Sequence, residues 1–523
     1  MKTKQIIILL IVLSLVLCAS TSRAATITAN PGGGNWHSGS TWVGGVVPSA
    51  TDDAIITTSV NVDSAISIHN LSISGGGTFY VGQTLDASGD ITLNGTATVQ
   101  QGANVTIGGN LNISSGTTYN PSCNDLLVTG DTSVSGILKD GCGINSHLAN
   151  VFGGNITVNA GGVWQMTDVA EWSVGGNIVN NGSITVGNGN AGITFTGTGK
   201  TISGNIFPIP KMVVNGTIQN SMALTVATAL SGSGTLTVGA STTLTLGGTV
   251  TVGTLDASAS PNTVTYSGAA QTVKAASYND LTLSGSSVKT FSSDSTVSGN
   301  LAVSSPVRAA INATVTVTGT TTVNSGATLS GTGTLNGAAV VNGTIAPGPT
   351  ISTLTLGSNP TLNGAAVMEI NRTASPNADS LTISGNPLTY GGTLTVNNLG
   401  SALVAGNTFQ LFSATGYSSA FTTVTLPTLT TNLAWNNTLA SNGAISVIST
   451  LPAGTPAINF SNSGGNLTLS WDTGTFPGYT VQAQTNSAGA GLSTNWINTG
   501  SGSPYTVPLD PSNSSVFFRL FHP

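Results

Sequence analysis

The side chains best placed for chemistry are Asp125, Asp131, Lys139, Asp140 and His147, grouped around Cys123 and Cys142. Carboxylates gathered with a lysine and a histidine are the equipment of acid–base cleavage of a polysaccharide, or of calcium binding. The same residues serve equally as a solvated loop, and they meet only if a repeating fold stacks them. Asp52-Asp53 is the one adjacent acidic pair, in a context that suits a turn. Asp168, Glu171 and Trp172 form a looser group that reads as an inserted loop. Gly187 to Gly192 fits G-x-G-x-x-G, but a strand, Ile193 to Phe195, follows where a phosphate-binding loop requires a helix N-terminus. No G-x-S-x-G, H-E-x-x-H or calcium-loop pattern occurs, no Cys-His set surrounds the cysteines, and the sequence implies no cofactor or metal.

Composition narrows the choice further. Only 5 % of the 523 residues are charged, with 11 basic against 17 acidic and a net charge of −6. Soluble domains ordinarily carry about 25 % charge. Nucleic-acid binding needs a basic surface and a coiled coil needs charged flanks, so both are excluded. Lys2 and Lys4 precede an apolar run from Ile6 to Leu17, and Ser22-Arg23-Ala24 offers small residues where a signal peptidase reads. Residues 1–24 are therefore expected to be a secretory signal, cleaved after Ala24. That run is short for a membrane span, and no transmembrane segment is expected after cleavage. Cys18 raises lipidation as an alternative, although Leu17 stands where a small residue usually precedes a lipidated cysteine. In an oxidising compartment, Cys123 and Cys142 are expected to form a disulfide, since their separation is close to one repeat of the pattern described next.

The elements that must position these residues are short strands. Ile91-Thr-Leu93, Val105-Thr-Ile107, Leu111-Asn-Ile113, Leu236-Thr-Val238 and Leu244-Thr-Leu246 alternate apolar and polar residues, the period of a half-buried strand. Sustained helical periodicity is missing from the mature chain. A Gly followed by Asp or Asn precedes a strand at Gly89-Asp90, Gly109-Asn110, Gly130-Asp131, Gly154-Asn155, Gly176-Asn177 and Gly204-Asn205, in steps of 20, 21, 24, 22 and 28 residues, and again at Gly299-Asn300. Repeats of this length without helices predict an all-β fold, a parallel β-solenoid (β-helix) whose coils pair strand on strand. Open ends of such a rod expose unpaired strand edges and need caps.

The ends differ in composition. WVGGVVP from Trp42, then DDAII from Asp52, then Ile66-Ser-Ile68 and Leu71-Ser-Ile73 resemble the start of eight-glycine-type extracellular β-helix modules. The resemblance implies a cap in which Trp36 and Trp42 cover the first coil; stacking on a sugar is the other use of such tryptophans. LSGTGTLNG from Leu329, NGTIAPG from Asn342, YGGTLTV from Tyr390, FQLFSATGY from Phe409, LAW from Leu433 and NGAISV from Asn442, in this order, resemble the passenger-associated β-strand repeat region of autotransporter-type proteins. That resemblance implies a secreted or outer-surface β-helix of a Gram-negative-type bacterium, often adhesive. Such proteins end in an outer-membrane barrel, whereas here a short aromatic-rich unit follows. LTLSW from Leu467, GYTVQAQTNS from Gly478, TNWI from Thr494 and SSVFFRL from Ser514 resemble a fibronectin-III-like module appended to exported bacterial proteins.

The expected organisation is thus a signal (1–24), a cap (25–75), solenoid repeats (76–345), a passenger-like β region (346–450), a linker (451–456) and a small C-terminal β-sandwich (457–523). The expected function is non-catalytic, structural or adhesive, at the cell exterior, with extracellular polysaccharide or the cell envelope as partner. Two alternatives remain: a carbohydrate-active β-helix enzyme (polysaccharide lyase or hydrolase), decided by whether the Asp125 to His147 groups converge, and a glycan-binding protein using Trp36 or Trp496.

Overall fold

The computed structural model describes residues 24–140, 149–166, 171–186, 191–451, 454–487 and 489–523. The strands wind into a parallel β-solenoid of about 15 turns. One coil carries Ile91–Leu93, Thr98–Gln101 and Val105–Ile107, and the next repeats them as Leu111–Ile113, Thr118–Asn120 and Leu126–Val128. Register is in phase on all three faces: Ile91 lies under Leu111, Thr98 under Thr118 and Val105 under Leu126. A three-residue strand presents two side chains inward and one outward. Leu71, Ile91 and Leu111 therefore stack in one buried column, as do Phe79, Val99 and Tyr119 in another. Each such side chain is worth about 1.5–3 kcal/mol when fully buried, so a thin core suffices because the columns run the length of the rod.

The coil changes shape along its length. One eight-stranded face runs from Gly34–Asn35 to Ser183–Val186, and another from Gln271–Thr272 to Thr423–Thr425. Among the described residues neither sheet has a strand between Val186 and Gln271, where coils shorten to an 18-residue step and long strands such as Leu224–Ser231 carry the pairing. The parallel pairing continues through the passenger-like region, with Ala365–Ile370 under Thr393–Asn398.

A polar ladder explains the Gly-Asp and Gly-Asn corners. The side-chain oxygen of Asn70 accepts the Asp90 backbone N–H at 2.7 Å, Asp90 accepts that of Asn110 at 2.7 Å, and Asn110 that of Asp131 at 2.8 Å. Asp131 then serves Asn155, Asn155 serves Asn177 and Asn177 serves Thr201. Each oxygen occupies the place a side chain would need at the next corner: a Cβ on Gly109 would stand 2.3 Å from Asp90 Oδ1. The expected 28-residue step to Gly204-Asn205 is corrected to 24 residues, ending on Thr201. Gly204 instead closes the strand Lys200–Gly204, and Asn205 donates to the Gly182 carbonyl. A second ladder runs from Asp280 through Asn300 and also stops on a threonine, Thr320.

Both ends are closed. Trp36 and Trp42 meet edge to face at 4.7 Å beneath two short 3-10 turns, Gly39–Thr41 and Val43–Gly45. At the other end an antiparallel sheet of Thr408–Gln410, Leu433–Thr438 and Ala444–Ser449 ends the parallel pairing, and the Tyr390 hydroxyl donates to the Leu439 carbonyl. Beyond it, two three-stranded antiparallel sheets share a small core of Leu469, Trp471 and Val481 with Tyr505, Phe518 and Leu520. No described helix is long and apolar enough to cross a membrane.

Candidate functional site

The acidic cluster read from sequence is distributed around its coil. Asp125 stands at the corner before Leu126–Val128, where Asn104 Oδ1 accepts its backbone N–H and Asn104 Nδ2 donates to its carboxylate at 3.3 Å. Asp131 stands at the next corner, within the polar ladder. Lys139 is exposed on the third face, opposite Gln165. Asp140 closes that strand, Ile137–Asp140, and His147 lies outside the described residues. Asp125, Asp131 and Lys139 thus stand at two different corners and on a third face. Cys123 is half-buried, and Cys142, its expected partner, lies outside the described residues. Among the described residues, no group of three or more His, Cys, Asp and Glu side chains is arranged to hold a metal ion.

The other candidates resolve individually. Glu171 and Trp172, expected in a loop, belong to the solenoid strand Glu171–Val174. Trp172 and Val174 point inward, and Trp172 stacks on Phe152 at 5.4 Å in a fully buried aromatic cluster with Trp164. Asp168 and residues 187–190 lie outside the described residues, while the strand expected after them is present as Gly192–Phe195. Trp36 and Trp42 are each 1 % exposed, and Trp42 Nε1 donates to the Trp36 carbonyl at 2.6 Å. They form the cap, and the sugar-stacking use is withdrawn because neither ring face is open.

Asp52 is a turn residue, as its context suggests. Its carboxylate accepts the Ala25 and Ser49 backbone N–H groups, each at 2.9 Å, and the Ser49 hydroxyl at 2.6 Å. These bonds hold its carboxyl below the usual range. Asp53 accepts from Asn70 and faces His69 Nδ1 at 2.8 Å.

Two buried ionisable groups escaped the sequence reading. Asp379 is buried, with its two oxygens accepting the Ser352 and Glu369 backbone N–H groups, each at 2.8 Å. Burial pushes its carboxyl up to about 6, against the pull of those bonds. Lys289 is fully buried and donates to the Gly268, Ala269 and Ser286 carbonyls. Burial lowers its pKa. Both groups bind main chain across coils or turns. Neither announces itself in sequence, since a lone Asp after Asn-Ala and a lone Lys after Val look like surface residues.

One surface combines aromatic rings with polar groups. On the outer side of the second C-terminal sheet, Arg519 lies with its guanidinium carbon 4.4 Å from the Trp496 ring centre and 5.7 Å from that of Phe521. Its Nε donates to Gln482 Oε1 at 2.8 Å, and Gln482 Nε2 donates to Asn498 Oδ1 at 2.7 Å. Strand alternation puts these residues on the face opposite the Val481, Phe518 and Leu520 core. Arg519 and Phe521 are exposed and Trp496 partly so. A flat ring beside fixed amide and guanidinium groups can stack on a sugar and bond its hydroxyls.

No protein-family model matches the chain, and no curated protein sequence matches it. The resemblances to eight-glycine-type, autotransporter-type and fibronectin-III-like proteins therefore rest on their quoted motifs alone.

Proposed function

We propose that the chain works outside the cell as a non-catalytic β-solenoid with a structural or adhesive role. One observation carries this reading: several of the described carboxylates are engaged in joining coil to coil. Asp53, Asp90, Asp131 and Asp280 each accept a backbone N–H from the next coil, and Asp52 and Asp379 hold turns. A carboxylate fixed in this way is a poor general acid or base. The dispersal of Asp125, Asp131 and Lys139 favours this reading over a polysaccharide lyase or hydrolase. Secretion follows from the signal-like residues 1–24, and the Cys123–Cys142 bridge belongs to the same picture. Fractionating producing cells and localising the protein tests it: recovery in the medium or on the outer surface is expected, and retention in the cytoplasm refutes it. Unchanged chain length of acidic and neutral polysaccharides after incubation is the companion result.

A second reading, glycan binding through the C-terminal module, is favoured by the Trp496–Arg519 surface, whose guanidinium is held by the buried Gln482 amide. A glycan array should register binding that Trp496→Ala and Arg519→Ala each abolish. Binding to no glycan at all removes this reading and leaves the structural one standing.

A further inference from the structure

We infer that cleavage between Ala24 and Ala25 creates an α-ammonium group that pairs with Asp52, so that removal of the leader fastens the first strand to the cap. The inference rests on the secretory reading above and adds to it a receptor for the new terminus. The backbone nitrogen of Ala25 lies 2.9 Å from Asp52 Oδ1. Asp52 is 9 % exposed, and its other oxygen is fixed by the Ser49 N–H and hydroxyl. Ala25 is held from its far side as well, because its carbonyl accepts the Asp53 N–H at 2.8 Å. The next residues, Thr26–Thr28, form the edge strand of the twelve-stranded face, in register with Asp53 to Ile55. Ala24 and Ala25 themselves are exposed, so the bond between them is open to a peptidase.

Hydrolysis of that bond turns a single amide donor into an ammonium with three donors and a full positive charge, at the same place. A bond in which only the acceptor is charged becomes an ion pair in which both partners are charged. The charged and titratable neighbours do not compete. Asp53 is turned to His69 and Asn70, and His69 pairs with Asp53 at 2.8 Å. Among the described residues no lysine or arginine pairs with Asp52.

Two experiments separate the pair from the processing. The first uses a chain made to begin at Ala25 by removal of a tag, independent of export. Its α-amine, ordinarily titrating near about 7.7–8.0, should titrate at least about one unit higher, giving about tenfold lower reactivity toward an acylating reagent at neutral pH. A raised folded value means that the added stability is present below about pH 8 and is lost as the pH rises through the raised value. Asp52→Asn should return the amine to its ordinary reactivity. A chain beginning at Ala24, which keeps Asp52 but moves the ammonium one residue away, should do the same. Equal amine reactivity in all three chains overturns the pairing. The second experiment is N-terminal sequencing of the exported full chain. Ala25 as first residue is expected, another first residue overturns the assignment of the cleaved bond, and a chain that is neither exported nor cleaved overturns the secretory reading as well.

Discussion

Asn110→Asp tests why acids are rationed in this rod. The substitution conserves shape and keeps an oxygen where Asn110 accepts the Asp131 N–H. What changes is charge, because Asp90, the new Asp and Asp131 would stand on three successive rungs. In the native ladder Asp53, Asn70, Asp90, Asn110, Asp131 and Asn155 alternate, so no carboxylate has another on the adjacent rung. Rungs are about 4.8 Å apart, and two unit charges at that distance repel by about 0.9 kcal/mol in water and about 3.5 kcal/mol at an effective dielectric constant of 20. The corner is half-exposed, which keeps each pair near the lower figure, and there are two pairs. The expected loss is roughly 2–3 kcal/mol at pH 7 in low salt. Urea denaturation followed at pH 7 and pH 3 measures it. The new carboxyl has its folded pKa raised, so the penalty is absent below about pH 4 and grows as the pH rises through the raised value. Asp90→Asn in the same background should recover about half of the loss. An Asn110→Asp protein as stable as wild type at pH 7, or equally weakened at pH 3, would refute the electrostatic account of the alternation.

Further expectations concern single positions. Gly109→Ala places a Cβ 2.3 Å from Asp90 Oδ1 and 2.6 Å from the Gly89 carbonyl carbon, and should cost about 1–3 kcal/mol. Gly32→Ala, with nothing within 4 Å, should leave the denaturation midpoint unchanged, and equal effects at both sites would defeat the steric argument. Lys289→Met removes the donor to three carbonyls and should lower stability by about 3 kcal/mol; an unchanged midpoint would show that those carbonyls find other donors. Asp379, whose folded carboxyl is raised to about 6, keeps its proton in the folded chain after the unfolded chain has lost it. Stability should therefore fall between about pH 4 and 6, by up to about 3 kcal/mol, and Asp379→Asn should flatten that slope. The same slope in the variant would assign it to another group.

The solenoid was legible because its corner chemistry is written locally. A Gly beside an Asp or Asn marks a corner where a side-chain oxygen from the neighbouring coil comes too close for a Cβ, so the motif also counts the coils. The count slipped at Gly204-Asn205 because Thr201 ends the ladder and nothing further has to be accepted from that corner. The capping role of Trp36 and Trp42 was implied by the resemblance of their segment to eight-glycine-type modules, whereas Trp172 was misplaced because its flanks are polar and its strand is short. Lys289 and Asp379 were invisible for a physical reason. Their partners are main-chain groups, which no residue type signals. The transfer of pairing to long strands between Val186 and Gln271 was equally hidden, since an 18-residue coil and a 20-residue coil use the same residue types.

The ladder has a direction: each corner oxygen receives its proton donor from the coil that follows, never from the one before. The two ends of the stack are consequently unlike, and one closure cannot serve for both. At the first coil the Asp53 N–H finds the Ala25 carbonyl in place of a preceding corner, while the far end is shut by an antiparallel sheet. Within each ladder, from Asp53 to Thr201 and from Asp280 to Thr320, the junctions between corners repeat the same bond. Coils inside a ladder could therefore be duplicated or deleted whole without altering the chemistry of its junctions, which makes the length of the rod a quantity adjustable independently of its ends.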